Sequence, residues 1–231
     1  MTDSGPLIRF DAVVKHYRGL RPFRLRHLVI HRGERVVISG FDVITAELFT
    51  NLINGATLPD EGTLEVFGTP TSAVTSEEEW LTSLDRFGIV TARAVLLDGL
   101  TVRQNLALPL SIEIDPMDDD LARRADALGA EAGIDEEWFP RPVHGADAVQ
   151  RMRIQLARAL ALDPPLVLFE HPTASLQPTE RGTFASQVAD IAARRGLTLV
   201  ACSQDRTFAR MVATRYLQLQ PATGELVPIE A

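Results

Sequence analysis

The spacing of hydrophobic residues divides the chain into strands and helices. Apolar and polar residues alternate over residues 7–17 and 23–34, which predicts half-buried antiparallel strands. Continuous apolar runs, typical of buried parallel strands, occupy residues 35–40, 164–172 and 198–204. Apolar residues at helical spacing predict the main helices at 46–56, 101–110, 118–133, 148–162 and 179–196.

Between these elements the chain carries a predicted strand at 60–68, a charged helix at 76–87 and a strand at 88–97. Strands that alternate with helices indicate a parallel sheet covered on both faces. We therefore predict an α/β fold. Its four parallel neighbours should come from the runs RVVISG, FGIVT, LVLFE and TLVACS.

Composition narrows the class of protein. Hydrophobic residues make up 45% of the 231 residues and charged residues 23%, which is typical of a soluble globular protein. No apolar run reaches the roughly 18 residues needed to span a bilayer, and the first residues carry no signal-peptide pattern, so a cytoplasmic protein is expected. The net charge of −8 argues against nucleic acid as a partner. A single cysteine, Cys202, excludes an internal disulfide.

Three phrases carry a resemblance to a known family: NLINGATLPDEGTLEVFG, LLDGLTVRQNLALPL and QLARALALDPPLVLFEHPTASLQP. Over residues 7 to 225 the chain resembles the ATP-binding subunit of ABC transporters. The resemblance implies a P-loop NTPase-like parallel sheet core with an N-terminal antiparallel β subdomain and an inserted α-helical subdomain. Residues 1–94 and 161–231 would form the core with its β subdomain, and residues 95–160 the helical subdomain.

The residues that do chemistry in this family are replaced here. In its phosphate loop, G-x-x-x-x-G-K-[ST], glycines and a lysine hold phosphate and a hydroxyl holds Mg²⁺. Gly40 keeps the first glycine, but the second glycine falls at Thr45, the lysine at Ala46 and the hydroxyl at Glu47. Val43 and Ile44 would lie inside the loop, and Glu47 would repel phosphate. Tyr17 matches the aromatic that stacks on adenine, although packing explains it equally well.

Other family positions have changed as well. The glutamine that senses the γ-phosphate falls at Ala92, the general-base glutamate at His171 and the switch histidine at Gln204. Glu170 replaces the magnesium-strand aspartate and is expected to be an exposed carboxylate, with a metal contact as the alternative. His171 is expected to be a satisfied structural histidine, the alternative being a new general base. Gln177 replaces the aspartate of the following loop. The signature motif LSGGQ aligns with Ala146, Asp147, Ala148, Val149 and Gln150.

These replacements favour a degenerate subunit that does not bind or hydrolyse ATP productively and acts as a structural or regulatory partner of a transmembrane permease. The chain would form a homodimer, or a heterodimer with an active ABC ATPase, and lie peripherally on the inner face of the plasma membrane. No cofactor or metal is expected. The family groove suggests Leu96, Leu97 and Leu100 as docking residues. One alternative is an active ATPase with divergent motifs that uses Mg-ATP, and another is a soluble interaction module.

Overall fold

The first of two sheets is antiparallel. The computed structural model describes residues 5–230, and this sheet has the strand order β2-β1-β4-β5. A bulge interrupts its β1–β4 pairing between Asp11 and Val14. Gly62 faces the bulge with a φ of +79°, and a side chain there would lie 2.3 Å from the carbonyl oxygen of Ala12, so the site requires glycine. The strands are β1 (Ile8–Lys15), β2 (Phe23–Ile30), β4 (Glu61–Val66) and β5 (Thr69–Pro70).

The second sheet has six strands in the order β10-β9-β3-β8-β7-β6. The four strands β3, β8, β7 and β6 are parallel neighbours, as predicted, and β9 joins them in parallel while β10 pairs antiparallel to β9. The second sheet contains β3 (Arg35–Ser39), β6 (Phe87–Thr91), β7 (Leu166–Glu170), β8 (Thr198–Cys202), β9 (Arg215–Gln220) and β10 (Glu225–Pro228).

Helices cover the six-stranded sheet. The helices that lie between β6 and β7 in the sequence form a separate group. Within residues 5–230 no helix combines the length and apolar character needed to cross a bilayer. The subdomain boundaries at residues 95 and 160 stay predictions. The helices are α1 (Val43–Ile53), α2 (Glu77–Leu84), α3 (Val102–Ala107), α4 (Asp119–Glu131), α5 (Ala148–Leu160), α6 (Pro178–Arg195) and α7 (Arg206–Val212), with short 3₁₀ turns at Thr71–Ala73, Glu136–Trp138 and Val143–Gly145.

The strand predicted over residues 88–97 is too long. It ends at Thr91, whose partner Glu170 is the last residue of β7. Beyond that pair the neighbouring chain turns away, because His171 adopts a left-handed φ of +46°. Without a partner strand the backbone cannot continue the ladder, so Ala92 lies in an exposed turn.

Two hydrophobic cores lie on opposite faces of the six-stranded sheet. Strand β3 contributes to both, because Val37 joins one core whereas Val36 and Ile38 join the other. The first core is formed with helices α3 to α7, and the second with α1 and the antiparallel sheet. Helix α1 is thereby fixed between the two sheets, at the position from which it reaches the candidate site.

The second core contains a cluster of aromatic rings around Phe49 on α1, which is 2% exposed. Its ring centroid lies 5.1 Å from that of Phe41 and 5.4 Å from that of Phe10. We predict that Phe49→Ala lowers the free energy of unfolding by about 3–5 kcal/mol through lost burial and a residual cavity. Leu20→Ala at a fully exposed position is the control and should change it by less than about 0.5 kcal/mol in urea denaturation. Equal effects of the two variants would contradict this packing.

Candidate functional site

The turn between β3 and α1 has only three residues, Gly40, Phe41 and Asp42. Gly40 has a φ of +95°, and a side chain there would meet the carbonyl oxygen of Leu219 at 2.6 Å, so only glycine fits. Phe41 is 1% exposed and packs in the aromatic cluster. The expectation that Val43 and Ile44 lie inside a longer loop is wrong, since both belong to the first turn of α1 and are 62% exposed. Helix α1 therefore begins directly after Asp42, and the turn before it is held by Gly40 and Phe41.

Asp42 caps the N-terminus of α1. Its Oδ1 accepts hydrogen bonds from the backbone N–H of Thr45 at 2.7 Å and from the Thr45 hydroxyl at 2.6 Å, while the Asp42 N–H donates to that hydroxyl at 2.9 Å. These bonds lower the pKa of Asp42 below its ordinary value, so the carboxylate is charged at neutral pH. Free N–H groups at a helix N-terminus are what binds phosphate in many proteins. Here the Asp42 carboxylate accepts the backbone N–H of Thr45 in the first turn of α1.

The positions of the missing lysine and hydroxyl lie in the first turns of α1. Ala46 is fully buried in the second core, so a long side chain there would have to enter packed residues. Glu47 is 42% exposed and points to Arg93, whose Nη1 lies 2.6 Å from Glu47 Oε1. The carboxylate that sequence reasoning treated as repelling phosphate is therefore paired within the chain.

Arg93 joins a second carboxylate as well. Its Nη2 lies 2.6 Å and its Nε 3.2 Å from Oε2 of Glu170, at the end of β7. Partial burial opposes the charge of Arg93, but the hydrogen bonds and charges of Glu170 and Glu47 together raise its pKa above the ordinary value. The guanidinium is thus a permanent cation shared by α1 and β7.

Glu170 is buried, contrary to the expected exposed strand end. Its side chain is 4% exposed, and Oε2 also accepts a hydrogen bond from the Thr91 hydroxyl at 2.9 Å. The other oxygen, Oε1, has no hydrogen-bond partner among the described residues. A buried carboxylate is costly unless it is paired, so Glu170 depends on Arg93.

His171 and Gln204 follow β7 and β8 at the same edge of the sheet. His171 is not the satisfied histidine that was expected, because its Nε2 is buried without a hydrogen-bond partner among residues 5–230. Its backbone N–H donates to the carbonyl of Cys202 at 2.8 Å. Gln204 donates from Nε2 to the carbonyl of Phe41 at 3.2 Å, which ties β8 to the short turn. Gln177 is the N-cap residue before α6, and its backbone N–H donates to Oε2 of Glu180 at 2.8 Å.

The signature-motif positions form the start of α5. Asp147 is the N-cap, and its Oδ1 accepts the backbone N–H of Gln150 at 2.8 Å. Ala146, Ala148 and Val149 are partly buried against the first core, and Gln150 is 8% exposed. The Asp147 carboxylate thus stabilises its own helix.

A cavity of about 280 Å³ lies beside the turn, and Gly40 and Phe41 are among the residues that line it. Tyr17, Asp42, Thr45 and Gln204 are among its lining residues, together with Arg21 and Arg24. Tyr17 therefore does border an open space next to α1. In the described part of the chain no group of three or more His, Cys, Asp or Glu side chains could hold a metal ion.

The structure brings Gly40, Thr45, Glu47, Glu170 and Gln204 to one edge of the sheet. Sequence reasoning missed Asp42 and Arg93, the two residues whose bonds organise this edge. A signal for Asp42 exists, because an aspartate three residues before a threonine resembles a capping box. For Arg93 the signal is an arginine directly after Ala92 that corresponds to none of the family motif residues. The same chain has a glutamate, Glu47, where the family motif has a hydroxyl residue.

The docking residues proposed from the sequence have different exposures. Leu96 is 6% exposed and belongs to the first core, so it is not available to a partner. Leu97 is 43% exposed and Leu100 is half-buried. Two other residues protrude more clearly, Val95 at 73% and Leu162 at 45%. Leu162, Ala94, Pro109 and Arg158 line a cavity of about 260 Å³ beside them. We call Val95, Leu97, Leu162 and this cavity the docking surface.

Comparison with known families identifies the chain. The family model of the ABC transporter matches residues 27–174, more than half of the sequence. The chain belongs to the ABC transporter family. Its sheets and helices form the cassette fold of the ATP-binding domains of that family.

Among ABC relatives, the methionine import ATP-binding protein MetN of Nocardia farcinica is 31% identical, over 99% of this chain and 68% of the relative. The MetN protein of Brucella abortus is 27% identical, over 94% of this chain and 58% of the relative. The chain thus spans about two thirds or less of the length of these proteins.

Solved ABC structures agree in fold. The dimeric ATP-binding cassette MJ0796, bound to ADP and Pi, superimposes with a TM-score of 0.77 at 22% identity, over 97% of this chain and 99% of that one. The cbiO1 protein of Clostridium perfringens, part of the transporter complex cbiONQ, gives 0.79 at 18% identity, over 96% and 87%.

We predict that Arg93→Gln lowers the free energy of unfolding by about 2–3 kcal/mol, between the values for exposed and buried ion pairs, because Glu170 loses its partner while it stays buried. The control is Arg103→Gln. Arg103 forms a pair with Asp126 at 2.6 Å, but both side chains are about one-third exposed, so the cost should be about 1 kcal/mol or less. Urea denaturation at neutral pH measures both. If the two variants lose equal stability, the ion pairs of Arg93 are not a structural element.

Proposed function

We propose that this chain is an ABC transporter subunit that works without its own nucleotide and serves as a structural or regulatory partner of a transmembrane permease. The proposal is supported by one arrangement: charged residues near the start of α1 are bonded to other residues of the same chain. Asp42 holds the N-terminus of α1, where phosphate would bind, and Arg93 is held by two carboxylates beside it.

Electrostatic repulsion between carboxylate and phosphate supports the proposal. If Arg93 left Glu47, a phosphate charge about 5 Å from that carboxylate would be repelled by roughly 3 kcal/mol at an effective dielectric near 20. The helix dipole offers only about 0.3–1 kcal/mol, and Asp42 already uses it. If Arg93 turned toward phosphate instead, it would leave the buried Glu170 unpaired. No single rearrangement therefore supplies the missing positive charge.

The second candidate is an active ATPase with divergent motifs, in which Arg93 serves as the cation on phosphate. The relatives favour it, because those named above are ATP-binding proteins of methionine import, and one solved cassette holds ADP and Pi. The open cavity at Tyr17 is compatible with the adenine base of a bound nucleotide. Under either candidate, an amino acid importer is the first class of transporter to test.

The third reading, a soluble interaction module, requires a chain that never associates with membranes.

Permease docking would use the docking surface. Val95 and Leu97 protrude on either side of the buried Leu96, and the adjacent cavity is lined by apolar groups and by Arg158, whose pKa is lowered by burial. A short amphipathic helix fits such a groove. Burial of two aliphatic side chains would contribute on the order of 3–6 kcal/mol. We therefore place the chain at the cytoplasmic face of the membrane, paired with a second cassette.

We predict no binding of Mg-ATP at millimolar concentration in isothermal titration, with the MetN protein of Nocardia farcinica as positive control. A Kd below about 100 μM, equivalent to roughly 5.5 kcal/mol, would favour the active ATPase instead. Ala46→Lys alone should not restore binding, because position 46 is fully buried and Glu47 remains. ATP hydrolysis by the unmodified chain would likewise contradict the proposal.

We predict that Leu97→Glu and Val95→Glu release the chain from membranes that contain its permease, since a charge cannot be buried in the groove at small cost. The matched control is Leu81→Glu on α2, a leucine that is 52% exposed outside the docking surface. Membrane fractionation measures release, and unchanged thermal melting shows that the variants fold. Wild-type protein absent from membranes, or docking variants that stay bound, would count against docking.

A further inference from the structure

The ion pairs of Arg93 also lie at the junction between two parts of the molecule. We call α3, α4 and α5 the helical lobe, and the two sheets with α1, α2, α6 and α7 the sheet core. The chain leaves β6 at Thr91 and enters α3 at Val102, so residues 92–101 are the connector between them. The connector is therefore one of the links between lobe and core, beside the first hydrophobic core and the ion pair of Arg195 on α6 with Glu131 on α4.

On one side the connector is tied to the sheet core by charge. Arg93 bonds to Glu47 of α1 and to Glu170 of β7, each at 2.6 Å. The Thr91 hydroxyl joins the same carboxylate oxygen of Glu170. Two core elements that are far apart in sequence thus share one guanidinium carried by the connector.

On the other side the same short segment is tied to the helical lobe. From α5, Gln155 Nε2 donates to the carbonyl of Ala94 at 3.3 Å and Arg158 Nη1 donates to that of Val95 at 2.8 Å. From α3, the fully buried Asn105 bonds both the N–H and the carbonyl of Leu97, at 2.9 and 3.0 Å. Side-chain bonds therefore reach the connector from the core at residue 93 and from the lobe at residues 94, 95 and 97.

We infer that Arg93 is a positioning residue, a clamp that holds the helical lobe and the docking surface in one orientation whether or not nucleotide is present. Rotation of the lobe would pull the guanidinium away from Glu170, which is 4% exposed and has no other cation bonded to it among the described residues. Because the cation belongs to the chain, the clamp is permanent, whereas a cation or phosphate from solution would come and go. The inference rests on the proposed function where it concerns docking, but the clamp itself can be tested alone.

The test measures the distance between core and lobe with spin labels at Thr63→Cys on β4 and Ala127→Cys on α4, both exposed positions. Cys202 is fully buried and stays unlabelled. With Arg93 intact we expect one narrow distance distribution that millimolar Mg-ATP leaves unchanged. Arg93→Gln should broaden it.

Two further variants separate a clamp from general loss of stability. Arg103→Gln removes an ion pair with Asp126 inside the lobe and should leave the distribution narrow. Glu47→Gln removes one of the two partners of Arg93, keeps Glu170 paired, and should give intermediate broadening. A distribution that stays narrow in Arg93→Gln, or one that shifts with Mg-ATP in the intact chain, would overturn the clamp.

A membrane measurement then links the clamp to docking. If Arg93→Gln leaves the lobe in its docking orientation for about one tenth of the time, apparent affinity for permease-containing membranes should fall about tenfold. Unchanged affinity in a variant with a broadened distribution would refute the link. Failure of the intact chain to bind membranes at all would instead refute the proposed function, and the distance measurements would still decide the clamp.

Discussion

The buried carboxylate of Glu170 is the constraint on which the candidate site depends. It ends a central strand of the parallel sheet, is shielded from water, and requires a cation within hydrogen-bond distance. Arg93 supplies that cation, and the same guanidinium reaches Glu47 on α1. Strand β7, helix α1 and the connector to the helical lobe are thereby joined through one side chain.

At the N-terminus of α1 the chain likewise supplies its own charged partner, which here is the negative carboxylate of Asp42. Helix N-termini attract anions, and a short turn with Asp42 as N-cap satisfies α1 from within the chain. The chain has the ABC cassette fold, and near the start of α1 the charged groups of Asp42, Arg93 and Glu170 form bonds within the chain. The two functions under test differ in whether these internal bonds are exchanged for a ligand, and the ion pairs of Arg93 set the cost of that exchange.

Much of the fold could be predicted from the sequence. Continuous apolar runs identified three of the four parallel strands, the strand predicted from Gly88 supplied the fourth, and helical spacing identified the main helices, since these patterns reflect which faces are buried. The resemblance identified the family and the chemical positions that had changed. Predictions failed where a residue's environment comes from distant parts of the chain. Glu170 was expected to be exposed and Leu96 was expected to be a docking residue, but both are buried. The strand that starts near Gly88 was predicted to reach residue 97, but it ends at Thr91.

The sequence by itself determined which residues stand at each family position, because that is a matter of order along the chain. Only the tertiary structure decided what those residues do. Glu47, Arg93 and Glu170 are separated by 46 and 77 residues, and nothing local indicates that they share one ion-pair network. Burial decides whether a charge must be paired, and burial is a property of the packed sheet and helices. For that reason, the acid that the sequence alone presents as a barrier to phosphate is, in the folded protein, one partner of an arginine that connects the core to the lobe.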